Sequence, residues 1–138
     1  MRHERIVLGL LLLVAGLLKV ADPGHFQAML SRYGLFPASA LPYVAPLIIV
    51  GEILLGLAML SGRQVRHCLA LCELLFYAFA LAVASVLYRG LQIRCACFGV
   101  FSLRVSPWHC VLCLLVAIYL SWRRSQPGGA DQLARVSR

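Results

Sequence analysis

Four long apolar runs fill most of this chain, and they constrain its fold more than any other feature. They cover roughly residues 6–21, 41–60, 65–88 and 105–122. A helix that crosses a bilayer needs about 20 mostly apolar residues, with about 17 as the lower end. The first run is short by that measure, so the helix is expected to extend back toward Arg5. Charged residues make up 13% of the chain and hydrophobic ones 62%, with a mean hydropathy of +0.86. An ordinary soluble domain is about a quarter charged. Too little polar surface remains here to cover a water-soluble globule.

Four spans within 138 residues predict an all-α integral membrane four-helix bundle with short connections. One domain is expected over residues 1–122. The polar segment 123–138 contains Pro127, Gly128 and Gly129 and is expected to be a disordered tail. The length leaves no room for a separate soluble lobe. Neither an internal repeat nor a nucleotide-binding or hydrolase motif is present.

Arg2 and Arg5 before an apolar run resemble the start of a secretory signal. The run ends in Leu18-Lys19-Val20-Ala21-Asp22-Pro23, which is not a small-residue cleavage site. The first span is therefore expected to stay in the protein.

Basic residues set the expected orientation. With both termini cytoplasmic, that side holds Arg2, Arg5, Arg63, Arg66, Arg123, Arg124, Arg135 and Arg138. The opposite side holds Lys19, Arg32, Arg89, Arg94 and Arg104. Residues 22–40 and 89–104 then face outward. The net charge of +8 is accounted for by arginines that flank a membrane beside anionic lipid. No nucleic-acid partner is needed.

The first outer loop has its own pattern. Asp22-Pro23-Gly24 ends the first span. Phe26, Met29, Leu30 and Tyr33 then recur at helical spacing. This predicts a short interfacial helix after the first span. It is either a lid that seals the bundle or a roof over a lipid-soluble substrate.

Six cysteines form three close pairs: Cys68/Cys72, Cys95/Cys97 and Cys110/Cys113. Cys95 and Cys97 lie on the second outer loop, in Arg94-Cys95-Ala96-Cys97-Phe98-Gly99. A bridge across one residue requires a bent backbone, which strains it and favours exchange. Arg89, Arg94 and Arg104 would stabilise the exchanging thiolate. A soft-metal site or a structural bridge are the alternatives for this pair.

Cys110 and Cys113 open the fourth helix, behind a capping Ser106 and Pro107 at the first helical position. Their spacing puts both sulfurs on one face, near the positive end of the helix dipole. Inert core packing is the alternative. His109 could shuttle protons there, or serve only as an interfacial histidine. Cys68 and Cys72 fall near the inner end of the third span and are expected to be packing residues.

These positions suggest a relay. An outside protein exchanges with Cys95/Cys97, that pair with Cys110/Cys113, and the helix pair with a membrane quinone. The same four thiolates could instead hold zinc, copper(I) or mercury. An assembly factor without chemistry is the third reading.

Lys19, Glu52 and Glu73 are charges within apolar spans, which are costly in hydrocarbon. Glu52 and Glu73 count to about mid-membrane. A Lys19–Glu52 pair would fix the first span against the second. Alternatively, a protonated carboxyl feeds protons to a carrier.

Gly16-Leu17-Leu18-Lys19 with Asp22-Pro23, Glu52 followed by Gly56-Leu57, and Cys95-Ala96-Cys97-Phe98-Gly99 together resemble the methylamine-utilisation protein MauE family. That family belongs with the DoxX-like membrane proteins. The resemblance covers residues 5–122 and implies four membrane helices in a bacterial inner membrane. It also implies a role in maturing disulfide-rich periplasmic protein, with a thioredoxin-like partner or a disulfide-rich client. No covalently bound cofactor is implied. Cys95 and Cys97 would match the family cysteines, and Lys19 and Glu52 its buried charges. Ala96 stands where the family usually has glycine. Cys110 and Cys113 are not a family feature. In arrangement they are similar to the vitamin K epoxide reductase and disulfide-forming membrane proteins, which also pair a helix-top Cys-x-x-Cys with loop cysteines.

Overall fold

The computed structural model describes residues 2–62, 64–94 and 107–126. They form five helices: α1 (Arg2–Ala21), α2 (Pro23–Tyr33), α3 (Leu41–Ser61), α4 (Val65–Tyr88) and α5 (Pro107–Ser125). No strand occurs among the described residues. The protein is an all-α membrane protein, with a short helix after the first long one.

Local chemistry sets the helix ends. Asp22 caps α2 by accepting the His25 amide at 2.9 Å, and Pro23 occupies its first turn. Gly34 ends α2 in the left-handed conformation (φ 62°), which glycine adopts without a Cβ clash. Gly62 ends α3 in the same way (φ 74°). The third long helix then restarts at Val65, leaving a connection of three residues, 62–64. So short a link forces α3 and α4 to run antiparallel. Pro46 lies in the second turn of α3, where it deletes one backbone bond near a helix end.

α3 and α4 are each long and apolar enough to cross a membrane. α1 reaches that standard together with α2, to which it is bent by 102°. α5 has 19 residues, and its last turn carries Arg123 and Arg124. All four long helices turn apolar side chains outward, among them Val14 and Leu17, Leu47 and Leu54, Leu74 and Leu81, and Leu115 and Ile118. Aliphatic surface on this scale is stable only against lipid. Tyr43, Tyr88 and Trp108 are exposed at one end of the bundle and Trp122 at the other, as expected of interfacial aromatic belts.

The bundle consists of two antiparallel pairs, α1 with α3 and α4 with α5. Glycine makes the first pair close. A Cβ on Gly56 would lie 2.9 Å from both the Gly9 carbonyl oxygen and the Leu13 amide nitrogen. One on Gly16 would lie 2.6 Å from Ile53 Cγ1. Between helices in lipid, close backbone approach of this kind supplies the packing that holds them. A core of Leu12, Met59, Cys68, Cys72 and Leu120 joins all four long helices. At the other end Phe26, Met29, Leu30 and Tyr33 of α2 pack on Leu41, Ala45, Ile49 and Val86.

The spans expected from sequence agree closely with α3 and α4. α5 differs: it continues past Trp122 to Ser125. Charge ends an apolar run but not a helix, and arginine is a good helix former. The remaining tail, residues 127–138, lies outside the described residues.

Substituting Gly56 by alanine should lower stability by roughly 1–3 kcal/mol, the usual cost of overpacking. Gly51 has nothing within 4 Å of a built Cβ, so Gly51→Ala should be nearly neutral. Thermal unfolding of the two purified variants in one detergent checks this. Equal loss at both positions would contradict the close α1–α3 seam.

Candidate functional site

Among the described residues, one ion pair of very low exposure lies in the bundle interior. Lys19 Nζ lies 2.7 Å from Glu52 Oε2, with side chains 0% and 2% exposed. Lys19 sits near the end of α1 and Glu52 mid-way along α3. The close seam at Gly16 brings these two backbones together, because Glu52 Cβ would lie only 3.5 Å from a Cβ at Gly16. A bond of this length is charge-assisted. Neither charge has access to solvent.

α2 forms the cover. Lys19 Nζ lies 5.4 Å from the centroid of the Phe26 ring, within cation–π range. Phe26 is itself 1% exposed. Of the two readings of α2, the packing supports the lid: its apolar face is filled by protein. Arg89, which follows α4, donates to the Tyr33 carbonyl at the end of α2 and to the Ser85 carbonyl at 3.3 Å. An arginine at a helix C-terminus also meets the negative end of the dipole. The lid is therefore tied to α3 by its apolar face and to α4 by a charge. Beside it, an apolar cleft of about 210 Å³ opens between Val20, Pro23, Gln27, Pro46 and Val50.

The other end of the bundle closes by charge as well. Glu4 accepts hydrogen bonds from the Tyr119 hydroxyl and from Arg123, each at 2.7 Å. The first helix is thereby joined to the last. Glu73 lies 3.3 Å from Arg124 Nη2. Glu73 stands about 12 Å along α4 at 1.5 Å per residue, and the arginine reaches it from the last turn of α5. Glu73 thus lies at a depth similar to that of Glu52, which stands nine residues from the same end of α3, but its partner is Arg124 rather than Lys19.

Two of the four cysteines expected to react lie among the described residues. Cys110 and Cys113 are both half-buried, in the first turns of α5. The Cys110 thiol lies 3.6 Å from the Ala80 carbonyl of α4, so this face of α5 looks toward α4. His109 is also half-buried, in the same turn. Cys68 and Cys72 are sealed in the four-helix core, with Cys72 at 0% exposure. That burial suits packing. Cys95 and Cys97 lie outside the described residues. Among the described residues no three histidine, cysteine or acidic side chains converge to hold a metal.

The family model described as methylamine utilisation protein MauE matches residues 4–123. The chain belongs to the MauE family. It is a membrane protein associated with methylamine utilisation through that membership. No curated protein and no solved structure matches it. The match takes in all five helices up to Arg123, so the ion pair, the lid and the α5 cysteines all fall within it.

In this MauE chain the ion pair has a definite energetic character. Burying two charges costs several kcal/mol each, and their attraction roughly offsets that. The pair adds little net stability but penalises every arrangement that separates its members. Replacing Lys19 by Met or Glu52 by Leu should each cost about 3–5 kcal/mol, because one charge is left buried alone. The double variant Lys19→Met/Glu52→Leu should regain most of that loss. A double-mutant cycle on unfolding free energy measures the coupling. Additive losses would show that the two charges do not depend on each other.

Proposed function

We propose that the chain is a membrane thiol–disulfide oxidoreductase, or the electron-transferring subunit of one, serving disulfide-rich proteins outside the membrane. The observation that carries this reading is the placement of Cys110 and Cys113. They share one half-buried face at the lid end of the bundle, one helical turn apart, while Cys68 and Cys72 are sealed in the core. Cys95 and Cys97 precede them by only a short stretch of chain.

The chemistry is an exchange of two electrons at each stage. A thiolate of the outside protein attacks the Cys95–Cys97 disulfide, and its second thiol resolves the mixed disulfide. The client leaves oxidised and the loop pair reduced. The loop pair then reduces a Cys110–Cys113 disulfide by the same two attacks. Finally the helix pair passes two electrons and two protons to a quinone, which leaves as quinol. Run backwards from a quinol, the same steps reduce a client. A thioredoxin-like protein is the proposed outside partner.

The proposed setting is a bacterial inner membrane, with both termini cytoplasmic and residues 89–104 periplasmic. The excess of arginine beside the two termini supports it. So does the contact of Glu4 with Arg123, which puts the start of α1 and the end of α5 on one face. Lys19 and Glu52 are proposed to hold the lid end in register for the cysteines.

Thiol-labelling mass shifts in intact membranes, before and after adding quinone or reductant, test the proposal. Cys95, Cys97, Cys110 and Cys113 should switch in pairs while Cys68 and Cys72 stay reduced. Cys110→Ser should stop the loop pair from cycling. Six thiols that stay reduced under all additions would reject the relay.

A further inference from the structure

A second site lies at the opposite end of the bundle from the lid. A cleft of about 440 Å³ opens between the start of α4 and the end of α5. Arg66, His67 and Ala70 line it from α4, and Ser121, Arg124 and Ser125 from α5. Two guanidinium groups, an imidazole and two hydroxyls thus face one space. Glu73 engages Arg124 through a single nitrogen, at 3.3 Å. A guanidinium has five N–H donors, so most of that group's capacity is left.

The beginning of α4 adds to the positive character. Gln64 precedes it in the left-handed conformation and makes no side-chain cap. Its carbonyl receives the His67 and Cys68 amides at 2.9 and 3.1 Å. The first amides of the helix point out of this ladder, at the positive end of its dipole.

The cleft does not end in water on all sides. On α4, His67 is followed at helical spacing by Leu71 and Leu74, both exposed. On α5, Ser121 is preceded by Ile118 and Leu114, both exposed. Residues three and four apart share a helix face. Each wall of the cationic cleft therefore continues into an apolar stripe directed along the bundle. Trp122, exposed beside the cleft, marks the level of the lipid headgroups. A small soluble anion would use only the head of this groove. An amphiphile with an anionic head and alkyl chains would use all of it.

We propose that this groove binds an anionic phospholipid, with the phosphodiester held by Arg66, His67 and Arg124 and the acyl chains against Leu71, Leu74 and Ile118. Basic pockets between membrane helices recognise headgroups by this combination of charge and depth.

The full-length protein would be reconstituted in an equal mixture of phosphatidylglycerol and phosphatidylcholine, extracted, and its retained lipid identified by native mass spectrometry. Retained phosphatidylglycerol in preference to phosphatidylcholine is expected. Arg66→Gln should reduce that preference about fivefold, the contribution of one arginine at a charged surface. Ser125→Glu, an exposed position, should reduce it further by repulsion. Arg32→Gln, on the exposed side of α2, should leave it unchanged. Equal retention of the two lipids, or equal loss in the Arg66 and Arg32 variants, would overturn the proposal. Displacement of the lipid by inorganic phosphate would also overturn it, assigning the cleft to a soluble anion.

Discussion

The buried pair of Lys19 and Glu52 is the constraint around which the rest of this protein is arranged. A lysine and a glutamate cannot lie in hydrocarbon separately. Their 2.7 Å contact requires α1 and α3 to approach at one height and one rotation. Gly16 and Gly56 make that approach sterically available. α2 then closes the pair off, with Phe26 over the ammonium. The lid is thus a consequence of the charge beneath it: remove the roof and the lysine would draw water into the bundle.

The two ends of the bundle are held by different means. At the lid end, one arginine joins the end of α2 to the end of α4, and apolar packing does the rest. At the other end, Glu4 links α1 to α5, and Arg124 meets Glu73 across α4 and α5. These partly exposed pairs contribute little energy individually. They matter for order at this end, where the core between the helices is apolar. The division also separates the proposed chemistry: thiols that could exchange lie at the lid end, and the cationic cleft at the other.

Much of this was legible in the sequence, and the limits have physical causes. α4 was readable end to end, because its apolar run over residues 65–88 is long enough to span a bilayer even with Glu73 inside it. α2 was readable because four apolar residues at helical spacing follow an Asp-Pro cap. Lys19 and Glu52 were readable as partners because each is expensive alone and they fall at compatible depths. The partner of Glu73 was not legible, because Arg124 belonged by composition to a polar tail. Arg89 carried no signal for Tyr33, since its acceptor is a backbone carbonyl and any residue could have supplied one. The cationic cleft was invisible for a similar reason: it is assembled from Arg66 and Arg124, which are distant in sequence and each ordinary as a membrane-flanking charge. Of the cysteine site, the common face of Cys110 and Cys113 follows from spacing alone, while its contact with Ala80 depends on how α4 and α5 pack.

The proposed relay requires the loop cysteines and the helix cysteines to exchange with each other. Peptide mapping of a variant with Cys97 and Cys113 both replaced by serine tests it most directly, since each pair then keeps one thiol and neither can close on itself. After mild oxidation in the membrane, a disulfide joining Cys95 to Cys110 should form. Two free thiols at those positions, with the protein still folded, would contradict it.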